Sequence, residues 1–189
     1  MKKAIALILF IACGVCLYAQ ALSWDIKFLR GNIRESLPIS RILQMATGEI
    51  FRISITPTSD CFSYIIIYDS ERKVQVIHDQ PLRRGIELNL GPFLLTAPSG
   101  TETIYVIMSL ERETRLEQLI QNHKNNPDSR LHSDSLRREV VRLQSEVSRL
   151  GEPASTFIPG GGTTRSNTPE YITRFTGRNI YVRTITIRH

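Results

Sequence analysis

Tyr64-Ile65-Ile66-Ile67-Tyr68 is an apolar run with no polar face. A strand of that composition must be covered on both sides, because successive side chains point to opposite faces of a sheet. Thr103-Ile104-Tyr105-Val106-Ile107-Met108, β-branched and aromatic, reads as a second central strand. Other segments alternate. Trp24-Asp25-Ile26-Lys27-Phe28 and Phe51-Arg52-Ile53-Ser54-Ile55 carry apolar residues at every second position, so Phe51, Ile53 and Ile55 are expected to face a core. The stretch from Lys73 to His78 should form a hairpin with the first central strand across the polar turn Asp69-Ser70-Glu71-Arg72. Ile86 to Leu90 and Phe93 to Leu95 read as short strands that Gly91-Pro92 separates. About seven short strands, with turn signals roughly every ten residues, predict an antiparallel sandwich or barrel.

After Leu110 the apolar period becomes helical. Leu116, Leu119, Ile120 and His123 predict an amphipathic helix from Glu111 to about Lys124, stopped by Asn125-Asn126-Pro127. A second helix is expected with Ser133 as its N-cap and with Leu136, Val140, Leu143, Val147 and Leu150 on one stripe, ended by Gly151 and Pro153. Such a stripe is too short to hold a free coiled coil together, so it has to be buried. One partner is the preceding helix, in an αα-hairpin; the other is a second copy or another protein, which makes these five the candidate interaction residues. Pro159-Gly160-Gly161-Gly162-Thr163-Thr164-Arg165 lacks the sequence and context of a phosphate loop and reads as a linker. Ile180 to His189 alternates again. Unpaired, that strand would be an aggregation hazard, so it is expected to return to the N-terminal sheet.

The resulting fold class is mainly β (α+β), an antiparallel β-sandwich that is Ig-like in broad architecture, with an αα-hairpin inserted before the C-terminal strand. Its expected divisions are 1–21, an export signal; 22–110, the sandwich; 111–151, the helical hairpin; 152–178, loop or linker; and 179–189, the strand completing the sheet.

The export signal rests on Lys2 and Lys3, the apolar stretch Ala4 to Tyr18, and the small residues of Ala19-Gln20-Ala21. No second apolar run of spanning length follows, so the expected product is exported, periplasmic or extracellular, with no transmembrane span. Phe10-Ile11-Ala12-Cys13 also makes a loose lipobox, and the alternative is a lipid anchor at Cys13. Loss of Lys2 and Lys3 takes the formal net charge from +6 to +4. The remaining basic residues are dispersed, with Arg83-Arg84 and Arg137-Arg138 the densest pairs, which argues against a nucleic-acid partner.

Chemistry-bearing patterns are sparse. With Cys13 and Cys16 in the signal, Cys61 is the one thiol left, and its place at the head of an apolar strand reads as a small core residue. His78, His123, His132 and His189 stand at no metal-ligand spacing, so no metal and no cofactor is expected. Glycan hydrolysis would want paired carboxylates; Asp60, Asp69, Glu71 and Glu102 are available, at turn positions where acids are common. No catalytic residue is assigned.

Cys61-Phe62-Ser63-Tyr64-Ile65-Ile66-Ile67-Tyr68-Asp69-Ser70, Pro98-Ser99-Gly100-Thr101-Glu102 and Tyr105-Val106-Ile107-Met108-Ser109 together resemble the bacterial domain-of-unknown-function family numbered 4384, over roughly 48–109. That family has a Tyr-x-Tyr strand, a polar turn, a Pro-centred loop and a Pro-x-Gly-x-Glu turn. His78-Asp79-Gln80-Pro81 departs from the Leu-Phe-Pro-like sequence common there, so that loop is expected to differ in shape. The remainder, with Gly151 to Ser155 and Tyr181 to Ile187, looks like secreted proteins of spirochaetes. The resemblance implies an exported sandwich-like binding or accessory domain and no reaction. The functional expectation is therefore a non-enzymatic envelope protein, an interaction or structural module. A glycan- or peptidoglycan-directed hydrolase and a small-ligand carrier are the alternatives.

Overall fold

A computed structural model describes residues 22–32, 35–149, 155–159 and 171–189. The expected export signal, Cys13, Leu150 and the glycine-rich stretch after Pro159 lie outside the described residues. The elements are β1 (Leu22–Arg30), β2 (Glu35–Leu37), β3 (Leu43–Gln44), β4 (Ile50–Pro57), β5 (Cys61–Tyr68), β6 (Val74–Leu82), β7 (Leu88–Leu94), β8 (Thr101–Ser109), α1 (Thr114–Asn125), α2 (Arg130–Arg149), β9 (Ser155–Pro159), β10 (Tyr171–Gly177) and β11 (Ile180–Arg188). They build three layers. One sheet runs β7-β4-β1-β10-β9 with β2 also on β1; the other runs β3-β11-β8-β5-β6; the helices pack on the outer face of the second.

This layering explains the apolar runs. Along β5, Cys61, Ile65 and Ile67 face the first sheet and share a core with Trp24, Ile26, Phe28, Phe51, Ile53 and Ile55. Tyr64, Ile66 and Tyr68 point the other way, into a second core with Leu116, Ile120, Leu136, Val140, Leu143 and Val147. Along β8, Ile104, Val106 and Met108 serve the first core and Ile107 the second. β1 and β4, with one face outside the sandwich, alternate instead.

β11 lies antiparallel to β8 from Ile180 opposite Ser109 to Arg188 opposite Thr101. The chain thus leaves the sheet after β8, forms the helical hairpin and returns beside the strand it left. The stretch 152–178 is no plain linker, because it holds β9 and β10. Thr173 to Gly177 pair with β1 and Tyr171 to Phe175 with β9, and Phe175 is buried against Trp24, ring centroids 4.9 Å apart. β10 and β2 share one edge of β1. At their junction the Ser36 hydroxyl donates to the Tyr171 carbonyl (3.0 Å) and accepts from the Tyr171 N–H (2.9 Å).

The candidate interaction stripe is covered within the chain over its described residues. Leu136, Val140, Leu143 and Val147 are at most 6% exposed, and they are covered by this chain's own sheet and α1. Burying each contributes about 1.5–3 kcal/mol, so together they rival the whole stability of a domain, about 5–15 kcal/mol, and they are not a free seam. The start of α2 differs as well. Ser129, not Ser133, precedes the helix, and its hydroxyl lies 3.5 Å from the His132 N–H, while Ser133 already donates its N–H to the Ser129 carbonyl. Gly91-Pro92 does not end a strand. β7 runs through it as an edge strand with a shifted register against β4, where proline's missing N–H costs no ladder bond. Gly91 has φ +98°, and a Cβ there would meet the Phe51 carbonyl oxygen at 2.9 Å.

Candidate functional site

The site begins where β5 turns into β6. The Arg72 N–H donates to the Asp69 carbonyl (3.0 Å) and the Lys73 N–H to the Asp69 carboxylate (2.7 Å). This turn holds Arg72 at φ 65°, a left-handed conformation that costs an L residue about 1–2 kcal/mol and that glycine adopts freely. β8 runs alongside, with Tyr68 opposite Thr103 and Ile66 opposite Tyr105, so Tyr68, Thr101, Thr103 and Tyr105 share the helix-facing side. The start of α2 brings Ser133, Asp134 and Arg137 over them. Between sheet and helix lies a cleft of about 300 Å³.

Its floor is two tyrosines meeting edge to face, with ring centroids 5.5 Å apart. Tyr68 is 8% exposed, and its hydroxyl is sealed from water without a hydrogen-bond partner among the described residues. An orphaned hydroxyl of this kind costs about 1–3 kcal/mol. Burial pushes the Tyr68 phenol up, with Tyr105 and Asp134 adding to the rise and Arg137 opposing it. Burial also raises Tyr105, again against Arg137, so the Arg137 charge reaches both phenols. Among the described residues the side chains of Arg72, Arg137 and Asp134 have no hydrogen-bond or ion-pair partner.

Two other hollows differ. Near β6 and α1 the charges are already matched, Arg112 with Glu117 (2.6 Å) and Asp79 with Lys124 (2.7 Å). The hollow between Arg30 and Gln44 is larger, about 530 Å³, but no residue lining it has a buried polar atom without a partner.

At the same end of the sandwich the chain brings Glu102 and His189 together across 87 positions. His189 Nε2 lies 3.1 Å from Glu102 Oε1, His189 Nδ1 lies 3.2 Å from Thr47 Oγ1, and Thr47 Oγ1 lies 3.1 Å from Ser99 Oγ. With neutral imidazole, Nε2–H donates a hydrogen bond to the carboxylate and Nδ1 accepts one from Thr47. The order carboxylate, imidazole, hydroxyl is that of a proton relay. Its surroundings, however, are those of a joint. The His189 side chain is fully covered, its backbone exchanges two hydrogen bonds with Gly100, and Glu102 also accepts the Ser70 N–H (3.2 Å). Pro98-Ser99-Gly100-Thr101-Glu102 acquires a physical meaning here. Ser70 donates its hydroxyl to the Pro98 carbonyl and its N–H to Glu102, and it sits where a Cβ on Gly100 would come within 2.5 Å of its own Cβ.

The other candidates from the sequence are dispersed. Asp60 accepts the Arg84 N–H (2.7 Å), Asp69 closes its turn, and Glu71 pairs with Lys73 (2.6 Å). His123 Nε2 lies 3.1 Å from the Val74 carbonyl, tying α1 to β6. Burial holds His78 below the usual imidazole range. Cys61 is in the core, where burial and then Asp60 push the thiol up to about 11. Among the described residues no cluster of three His, Cys, Asp or Glu side chains could hold a metal, and no helix is long and apolar enough to cross a membrane.

Sequence reasoning does not single out the cleft. Tyr68 reads as the end of an apolar strand, Arg72 as a turn residue and Arg137 as half of a basic pair. Only the docking of α2 on β5 and β8 assembles them. Comparison of the chain with protein families, with curated proteins and with solved structures finds no match in any of the three.

Proposed function

We propose that this protein is an exported, non-enzymatic binding module of a bacterial envelope, and that the cleft between the central strands and α2 is its recognition element. The observation that carries this reading is the buried Tyr68 hydroxyl, unpartnered among the described residues, beneath the exposed side chains of Arg72, Arg137 and Asp134. A buried hydroxyl left unmatched beneath a concavity holds free energy that a polar ligand releases on binding, and the exposed charges above it can steer and match that ligand. Asp60, Asp69, Glu71 and Glu102, the carboxylates the sequence offers for hydrolysis, are engaged in turns, an ion pair and a strand joint, which favours binding over reaction. Residues 1–21 support export, and the likeness of 48–109 to family 4384 supports an accessory domain.

Two measurements test the reading. N-terminal sequencing of the protein recovered from cell fractions is expected to begin at Leu22, in the periplasm or medium; an intact Met1 in the cytoplasm refutes export, and a lipidated Cys13 moves the protein to a membrane anchor. Glycan release by the purified protein that Glu102→Gln abolishes would overturn the non-enzymatic assignment.

A further inference from the structure

The inventory of groups around the cleft narrows what it can take. Arg72 and Arg137 only donate hydrogen bonds, and the Tyr68 hydroxyl, which can donate or accept, has no partner among the described residues. The acceptor-only groups are Asp69, which spends one oxygen on the Lys73 N–H, and Asp134, which is unengaged among the described residues. Two guanidiniums therefore face two carboxylates, with hydroxyls of either sense between them, and a planar guanidinium is matched best by a carboxylate or phosphate. Asp134 sets a limit in the other direction. Its charge reaches the Tyr68 phenol alongside that of Arg137, so a compact dianion seated there would meet a carboxylate. A ligand that offers Asp134 a hydroxyl while giving Arg137 a single carboxylate satisfies both. The cleft holds about 300 Å³. That is about ten water volumes, room for one monosaccharide-sized molecule.

We propose that the cleft binds a hydroxylated monocarboxylic acid of sugar-acid type, its carboxylate held by Arg137 and the Tyr68 hydroxyl, with Arg72 closing from the rim and Asp134 accepting a ligand hydroxyl. This rests on the reading of the cleft as the recognition element. Arg72 adds a second observation, since among the described residues it is the one non-glycine at positive φ, a strained conformation of the kind that gathers at binding sites. The acid is either a free molecule or the uronate end of a glycan, and the test separates the two.

The test follows Tyr68 and Tyr105 ring signals by NMR while the purified protein is titrated with D-glucuronate, trigalacturonate, D-glucose or inorganic phosphate. Glucuronate is expected to shift both rings and saturate, while glucose and phosphate bind at least about tenfold more weakly. Trigalacturonate binding more tightly than glucuronate would identify a glycan end as the source, and the reverse a free acid; either order supports the site. Arg137→Gln should weaken glucuronate about tenfold or more and Tyr68→Phe about fivefold, the losses for a charged and a neutral hydrogen bond. Asp134→Asn should weaken glucuronate yet strengthen phosphate, a change of preference that a folding defect does not produce. Saturation by glucose without glucuronate overturns the acid class and leaves the cleft a binding site. No shift from any of the four at about 10 mM, well beyond millimolar affinity, overturns both. Glucuronate binding that survives Arg137→Gln overturns the assignment of the carboxylate.

Discussion

Tyr64 and Tyr68 stand on one face of β5, and removal of their hydroxyls should change stability in opposite directions. The Tyr64 hydroxyl donates to Glu117 Oε1 (2.8 Å) and accepts the Glu113 N–H (3.1 Å), joining the central strand to the start of α1. Tyr64→Phe strands the Glu113 N–H and takes one hydrogen bond from Glu117, which keeps Arg112, and destabilisation by about 1–3 kcal/mol is expected. The Tyr68 hydroxyl is equally shielded and bonded to nothing among the described residues. Tyr68→Phe keeps the ring packed edge to face on Tyr105 and removes a desolvated group, so stabilisation by about 1–2 kcal/mol is expected. The two variants should therefore differ by about 2–5 kcal/mol although each loses one oxygen atom. Urea denaturation followed by fluorescence and circular dichroism reads the difference directly. In thermal melts each kcal/mol corresponds to about 2–4 °C for a chain of this size. A Tyr68→Phe variant that is less stable than the parent, or that matches Tyr64→Phe within about 0.5 kcal/mol, refutes the argument that this hydroxyl waits for a ligand.

Three further outcomes follow from packing and charge. Leu143→Ala should cost about 2–5 kcal/mol with no change in mass by light scattering, because the stripe is internal; a dimer that it dissolves without loss of stability would place the stripe at an interface. Gly100→Ala should destabilise through the 2.5 Å approach to Ser70 Cβ, and Ser70→Gly should recover most of the loss in the double variant; additive effects in a double-mutant cycle would rule out this contact as the cause. The Ala46 N–H (2.6 Å) and then Arg30 hold the Glu49 carboxyl below the usual carboxylate range. A depressed folded value contributes stability above the unfolded value near 4.5 and loses it as pH falls through the folded one. Denaturation midpoints measured from pH 6 to pH 2 should therefore decline less steeply in Glu49→Gln than in the parent, and parallel curves would contradict the assignment.

Local pattern determined much of this molecule. Alternation placed Trp24, Ile26, Phe28, Phe51, Ile53 and Ile55 in the core, and the unbroken run at Tyr64 to Tyr68 required cover on two sides, because a strand's period of two leaves no other arrangement. The helical spacing of Leu136, Val140, Leu143 and Val147 determined that they would be buried. It did not determine by what, since an apolar stripe fits a sheet, a helix or a second copy equally well. That choice was tertiary. Tyr171 to Gly177 was hidden for a related reason: a half-exposed segment has weak periodicity, and its pairing with β1 depends on a partner about 150 positions away. The cleft lies furthest from local reading. Tyr68 and Arg72 belong to a strand and its turn, Arg137 and Asp134 to a helix beyond another helix, and they meet only because α2 docks its apolar stripe across β5 and β8. Hydrophobic period decides which side of each element is buried; which polar groups then face one another depends on how the layers stack.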